Sequence, residues 1–133
     1  MWLERAVQTG RRTEFVDITD LVEEALRGTG LRDGICVVHV PHTTAGVTVN
    51  ENADPDVIAD LQTALGAMVP VGPFRHGEGN SPAHIKSSLI GCSVTLPVAG
   101  GRLSLGTWQG VYFCEFDGPR RRRVLIGCIG MAR

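Results

Sequence analysis

Apolar and polar positions alternate with period two over residues 2–8 and 13–17, which predicts two short strands, joined around Thr9-Gly10-Arg11 closely enough for a hairpin. The period then lengthens. Ile18, Leu21, Val22 and Ala25 follow the i, i+3, i+4, i+7 rule of an amphipathic helix, with Asp17 or Thr19 as its cap and Gly28 to Gly30 as its end. Residues 35–41 and 45–50 are valine-rich and read as strands, because branched side chains fit a pleated sheet. In the second of these, Val47 and Val49 alternate with Gly46, Thr48 and Asn50, so a polar face could look onto a site. Asp54-Pro55 starts a second helix, since the aspartate accepts from orphan amides and proline at the first helical position loses no hydrogen bond. Ile58, Leu61, Leu65 and Met68 share one face of that helix, which should end near Pro70. Two prolines, three glycines and a histidine in residues 70–80 predict an irregular loop. Ser81-Pro82 opens a third helix through about Leu89, with His84 near its first turn.

From Cys92 onward the pattern is all β, with strands at 93–98, 103–105, 111–116 and 124–129 and turns at Ala99-Gly100-Gly101 and Asp117-Gly118. Both faces of the last two strands are apolar. That predicts cover by helices on one side and by a neighbouring subunit on the other. A length of 133 residues corresponds to one domain, spanning 1–133.

The net charge of −1 and pI near 6.4 argue against a general nucleic-acid or membrane footprint. Arg120 to Arg123 nevertheless concentrate four of the thirteen basic residues. After Asp117-Gly118-Pro119 this run reads either as a solvated hairpin tip or as an anion-contacting edge. The cysteines Cys36, Cys92, Cys114 and Cys128 lie among β-favouring apolar residues, form no C-x-x-C pair, and read as buried free thiols. With no signal peptide and no apolar run near the ~18 residues of a membrane span, a cytoplasmic location is expected.

Candidate chemistry lies in three stretches: HTTAGVTVNENADPDVIAD from His42 to Asp60, HGEGNSPAHIKSS from His76 to Ser88, and LGTWQG from Leu105 to Gly110. Together they suggest one polar site. His42, His76 and His84 could present three imidazoles to zinc or a similar ion, although separations of 34 and 8 residues match no local metal motif. The alternative is three histidines hydrogen-bonded in a polar cleft. His39, inside an apolar strand pattern, reads as structural. Glu51, Asp54 and Asp60 could hold magnesium against a diphosphate or act as a base, while Asp54 is equally a helix cap and Asp60 could face solvent. Asn80, Lys86, Ser87 and Ser88 surround His84 at a helix start, a donor-rich setting for an anion, but no Walker or G-x-G-x-x-G pattern accompanies them. Trp108 could stack on a planar ring while Gln109 reads its edge, or the tryptophan could pack in the core. No serine or cysteine sits in a nucleophile motif.

His42-Thr43-Thr44-Ala45, Asn50-Glu51-Asn52-Ala53-Asp54-Pro55, Asn80 with His84, Gly91, and Leu105-Gly106-Thr107-Trp108-Gln109 together resemble the YjbQ-type family, also labelled secondary thiamine-phosphate synthase. The resemblance spans nearly the whole chain in order. It implies an α+β fold, a large mostly antiparallel sheet or sandwich with two or three helices packed on it, and a homotrimer. It also implies a weak ability to join hydroxymethylpyrimidine diphosphate and thiazole phosphate. On that reading His42, Glu51 and His84 are catalytic, and His42, His76 and His84 hold zinc or another transition metal, with magnesium at the diphosphate. Thr43, Thr44, Asn80, Lys86, Ser87, Trp108, Gln109 and Arg121 contact the substrate. Ser81 departs from the alanine common in relatives, and the loop from Gly77 to Gly79 is compact. A non-enzymatic phosphometabolite-binding or regulatory module and a metal-dependent hydrolase are the alternatives.

Overall fold

A computed structural model describes residues 1–132. The elements in chain order are β1 (Leu3–Gln8), β2 (Glu14–Asp17), α1 (Thr19–Thr29), β3 (Gly34–His39), β4 (Ala45–Glu51), α2 (Pro55–Met68), α3 (Ser81–Ile90), β5 (Ser93–Ala99), β6 (Arg102–Leu103), β7 (Gln109–Glu115) and β8 (Arg121–Gly130). The fold is α+β, as the sequence implied. Its strands form a five-stranded sheet in the order β1-β8-β3-β5-β6 and a three-stranded sheet in the order β2-β7-β4, with every pair antiparallel.

The helices start and stop where local chemistry dictates. The Asp54 side chain accepts from the Asp56 amide at the head of α2, with Pro55 in the first turn. Asp17 accepts from the amide and hydroxyl of Thr19 at the head of α1, and Gly30, at a φ of 71°, supplies the left-handed residue that ends it.

The period-two rule then sorts side chains between two cores. Val111 and Phe113 of β7 face the space between the sheets, where they meet Val22 and Leu26 of α1, Val38 of β3, Val47 of β4, and Val124 and Ile126 of β8. Tyr112, Cys114 and the following Phe116 face the other way, into a second cluster with Ile58 of α2 and Ala83 of α3. The doubly apolar pattern of β7 is thus explained within one chain. That of β8 is not: its outward Leu125 and Ile129, with Trp2 and Val37, lie on a sheet face that no helix among the described residues covers, and Ile129 is 62% exposed.

Both expected hairpins at the ends of the chain are corrected. β1 pairs with β8 and β2 with β7, so the segment around Gly10 crosses between sheets instead of joining neighbours. The corner at Asp117-Gly118-Pro119 likewise carries the chain from β7 in one sheet to β8 in the other. Alternation identifies a strand but not its partner. The strand expected at 103–105 shortens to Arg102–Leu103, and Cys92 is exposed where a buried thiol was expected. His39 sits half-buried on the open sheet face, beside Ser93 and Leu125, not inside the core.

Candidate functional site

The turn between β3 and β4 carries His42, Thr43 and Thr44 past the start of β8. There it forms one wall of a cleft of about 520 Å³, with Arg120, Arg122 and Cys92 on the others. A hollow of about 400 Å³ adjoins it, lined by Glu4, Ala6, Arg121 and Arg123 together with the shared His42 and Arg122. The turn is anchored from both sides. The Thr44 carbonyl accepts from the Phe116 amide, and its hydroxyl accepts from Arg122 Nη2 at 2.9 Å.

Arg122 organises this region. It lies on the inward face of β8 in line with Val124 and Ile126, and its guanidinium pairs with Glu115, the inward residue at the end of β7. Nε donates to Glu115 Oε1 at 2.8 Å while Nη2 donates to Glu115 Oε2. The Thr9 hydroxyl and the Asp117 amide complete the carboxylate's shell at 2.8 and 3.0 Å. Burial pushes the Glu115 carboxyl upward, but Arg122 and these two donors outweigh it, and the net direction is down. A solvated hairpin tip is therefore the wrong picture of the arginine run. Arg122 is interior, and its neighbours Arg121 and Arg123 point outward.

His42 is held below its ordinary value by burial and by the nearby Arg122 charge. Its Nε2 accepts from the Arg123 amide at 3.1 Å, a bond that requires the lone pair of the neutral ring. The outer arginines carry opposite charges beside them: Arg123 pairs with Glu4 at 2.7 Å and Arg120 with Asp117 at 3.0 Å. Among the described residues Arg121 makes no ion pair.

Asp117 extends the region to the head of α3, where Asn80 Nδ2 donates to its carboxylate at 3.1 Å. Asn80 Oδ1 is buried without a partner. One turn on, the His84 ring stands 5.5 Å from that of His76, edge to face. His42 does not join them. Among the described residues no three His, Cys, Asp or Glu side chains lie close enough together to hold an ion, so the single chain does not assemble the expected three-histidine ligand set. His76 and His84 could supply two ligands.

The remaining expected site residues divide. Ser87 is buried and donates to the Ala45 carbonyl at 2.6 Å, which fastens α3 to β4, while Lys86 is half-exposed on the same helix. Glu51 and Gln109 are register partners at the far end of β4 and β7, six residue steps from Ala45, or roughly 20 Å at strand geometry. Gln109 there accepts from the Gly106 amide and closes its own loop, and Trp108 is 61% exposed instead of packed in the core. The expected single site is therefore split between two ends of the three-stranded sheet. Asp54 caps α2 and Asp60 is exposed.

Thr9, Glu115 and Arg122, whose hydrogen bonds hold the wall of this cleft together, are not among the expected motif residues. A signal existed: Arg122, Val124 and Ile126 fall on one face of a period-two pattern.

The family model described as "UPF0047 protein YjbQ-like" matches residues 4–131, the span that holds both the arginine cleft and the motif turn. The chain belongs to the YjbQ (UPF0047) family. It is 50% identical over 131 residues to the UPF0047 protein MJ1081 of Methanocaldococcus jannaschii, covering 98% of this chain and 95% of that one. It is likewise 50% identical to the UPF0047 protein YugU of Bacillus subtilis, over 93% of this chain and 96% of the relative. The crystal structure of a YjbQ/UPF0047 family protein from Clostridium acetobutylicum superposes with a TM-score of 0.93 at 52% identity, covering 96% of this chain and 99% of that one. A YbjQ-like protein of unknown function from Sulfolobus solfataricus also gives 0.93, at 32% identity, with 98% and 97% covered. Among the described residues of this YjbQ-family chain, no helix is long and apolar enough to cross a membrane.

Proposed function

We propose that the cleft between the His42–Thr44 turn and the start of β8 binds a phosphorylated small metabolite, and that its reaction is a weak thiamine-phosphate-synthase-like transfer. The observation that carries this reading is the set of outward arginines: Arg120, Arg121 and Arg123 border the polar cleft and its adjoining hollow beside the neutral His42 imidazole, while the buried Arg122, paired with Glu115 and Thr44, fixes the strand that carries them. Guanidinium forks suit phosphate oxygens, which they meet with two parallel hydrogen bonds. In the transfer, thiazole nitrogen attacks the pyrimidine methylene as diphosphate leaves. The arginines would stabilise the charge that develops on that leaving group. Neutral His42 could orient the reactants, and Asn80 with His84 would meet the substrate's far side. Glu51, Trp108 and Gln109 lie too far away to act in the same cleft of the same chain. The metal-dependent hydrolase reading loses support, because it needs three convergent ligands.

Calorimetry with hydroxymethylpyrimidine diphosphate and with thiazole phosphate tests binding, and product formation in magnesium-containing buffer tests the transfer. Arg121→Ala and Arg123→Ala should each weaken binding about tenfold, the order expected for losing one charge-assisted hydrogen bond. Unchanged affinity in both variants would place the ligand elsewhere. Binding without turnover would leave a phosphometabolite-binding module.

A homotrimer is part of the same proposal. Its support is the uncovered face of the five-stranded sheet, where Trp2 is 57% and Ile129 62% exposed around Val37 and Leu125. Light scattering should give three times the 14.3 kDa chain mass. A single-chain mass would overturn it.

A further inference from the structure

The geometry points to a redox-active dithiol, Cys36 with Cys128, which a peroxide closes to a cross-strand disulfide. This modification site is separate from the phosphate cleft and does not rest on that reading. Cys36 on β3 and Cys128 on β8 are direct register partners in an antiparallel pair. Directly opposed residues have Cα atoms ~4.5–5.5 Å apart, inside the ~4.4–6.8 Å range that a disulfide spans. Opposed side chains also leave the sheet on the same face, and the neighbouring Cys128 is among the groups that hold the Cys36 thiol up. Both are free cysteines.

The two thiols differ in access, which sets their roles. Cys36 is fully buried among the residues under α1. Cys128 is only partly buried, packed at the margin of the same core face. A small oxidant therefore reaches Cys128 first. Burial holds the Cys36 thiol up at about 12, with the neighbouring Cys128 and the charge of Glu23 acting in the same direction, so Cys36 stays protonated until a partner sulfur is activated.

Glu23 supplies the second observation. It is 9% exposed on α1, close enough for its charge to be felt at Cys36, and its Oε2 is buried without a hydrogen-bond partner. A buried acceptor left unsatisfied is costly. Its charge is felt at a thiol that must lose a proton to react, and we assign it the part of proton acceptor.

The chemistry balances with a peroxide as oxidant. Peroxide oxygen transfers to Cys128 Sγ as the O–O bond breaks, which gives a sulfenic acid and releases one water from hydrogen peroxide. Cys36 Sγ then attacks that sulfur. The S–S bond forms, the S–O bond breaks, and the departing hydroxide leaves as a second water with the proton that Glu23 has taken from Cys36. Two thiols lose two electrons, and the peroxide gains them.

The test uses full-length Cys92→Ser protein, which removes the exposed thiol, titrated with hydrogen peroxide, alkylated under denaturing conditions and mapped by mass spectrometry. The expected result is joint loss of alkylation at Cys36 and Cys128 and a peptide pair linked through them. Conversion of Cys128 to sulfinic or sulfonic acid with Cys36 still alkylated would overturn the proposal, as would both thiols remaining free. Adding Cys36→Ser should divert Cys128 to those higher acids, and the linked peptide in the parent stands whether or not this variant folds. Glu23→Gln should leave the rate of sulfenic acid formation, trapped with dimedone, unchanged while slowing closure several-fold. Equal closure rates would remove the carboxylate from the reaction.

Discussion

Glu115 and Arg122 pair across the gap between the two sheets, with side chains 0% and 3% exposed. Each is the inward residue of its strand, next to the corner where β7 gives way to β8. Two charges removed from water at this depth stabilise the fold only while both are present. Glu115→Ala should therefore cost about 3–5 kcal/mol, read as a lower urea midpoint, because it leaves the guanidinium buried and uncompensated. A double Glu115→Leu, Arg122→Met variant should recover most of that loss. A single-variant cost below about 1 kcal/mol would mean that water reaches the pair.

The same carboxylate sets an acid limit. Its folded-state value lies below the ordinary 4.5, so its contribution is fully present above that pH and is lost as pH falls through the depressed folded value. Thermal melts from pH 6 to pH 3 should show a steeper loss in the parent than in the Leu/Met double variant.

His42 acts in a higher window. Its folded value is lowered from 6.5, so the neutral ring's contribution is intact above pH 6.5 and declines as pH falls through the folded value. The Tm difference between the parent and His42→Gln, which cannot charge, should shrink between pH 7.5 and pH 5. A difference constant over that range would show that the ring titrates alike folded and unfolded.

Gly118 should tolerate no side chain. A Cβ there would stand 2.4 Å from the Arg11 carbonyl oxygen and 2.8 Å from Glu115 Cγ, at the corner that delivers Arg122. Gly118→Ala should cost about 1–3 kcal/mol, the usual range for overpacking, and weaken phosphate binding with it. Gly10→Ala is the control, since its Cβ would meet only Glu14 Oε1 at 3.9 Å.

Glu51→Gln and Trp108→Ala should leave phosphate binding to the arginine cleft unchanged when affinity is measured by calorimetry. Both lie at the opposite end of the three-stranded sheet. A tenfold loss in either would show that two chains combine their ends into one site.

What the sequence made legible was local. Asp54-Pro55 and Gly30 mark helix boundaries through hydrogen bonds and backbone angles that neighbouring residues decide, and α2 begins at Pro55 as expected. Strand partners were not legible, because the alternation in residues 2–8 is satisfied equally by a hairpin with β2 or by the observed pairing with β8. The site divided in the same way. The turn at His42, Thr43 and Thr44 was recognisable from its residues. Its counterpart Arg122 stood in a run of four arginines that composition cannot separate, and only its place on the inward face of β8 distinguishes it. Glu51 and Trp108 were grouped with His42 by motif, and strand length separates them.

The pairing of β1 with β8 also has a cost during synthesis. Leu3–Gln8 leaves the ribosome more than a hundred residues ahead of the strand it pairs with, Arg121–Gly130. Until then β1 has no ladder partner, and Val7 has no interior to enter. Closing so long a loop is entropically slow, and an unpaired strand is a template for other chains. Misassembly of nascent chains should therefore begin at β1, and faster completion of translation would protect this fold more than added stability in its finished core.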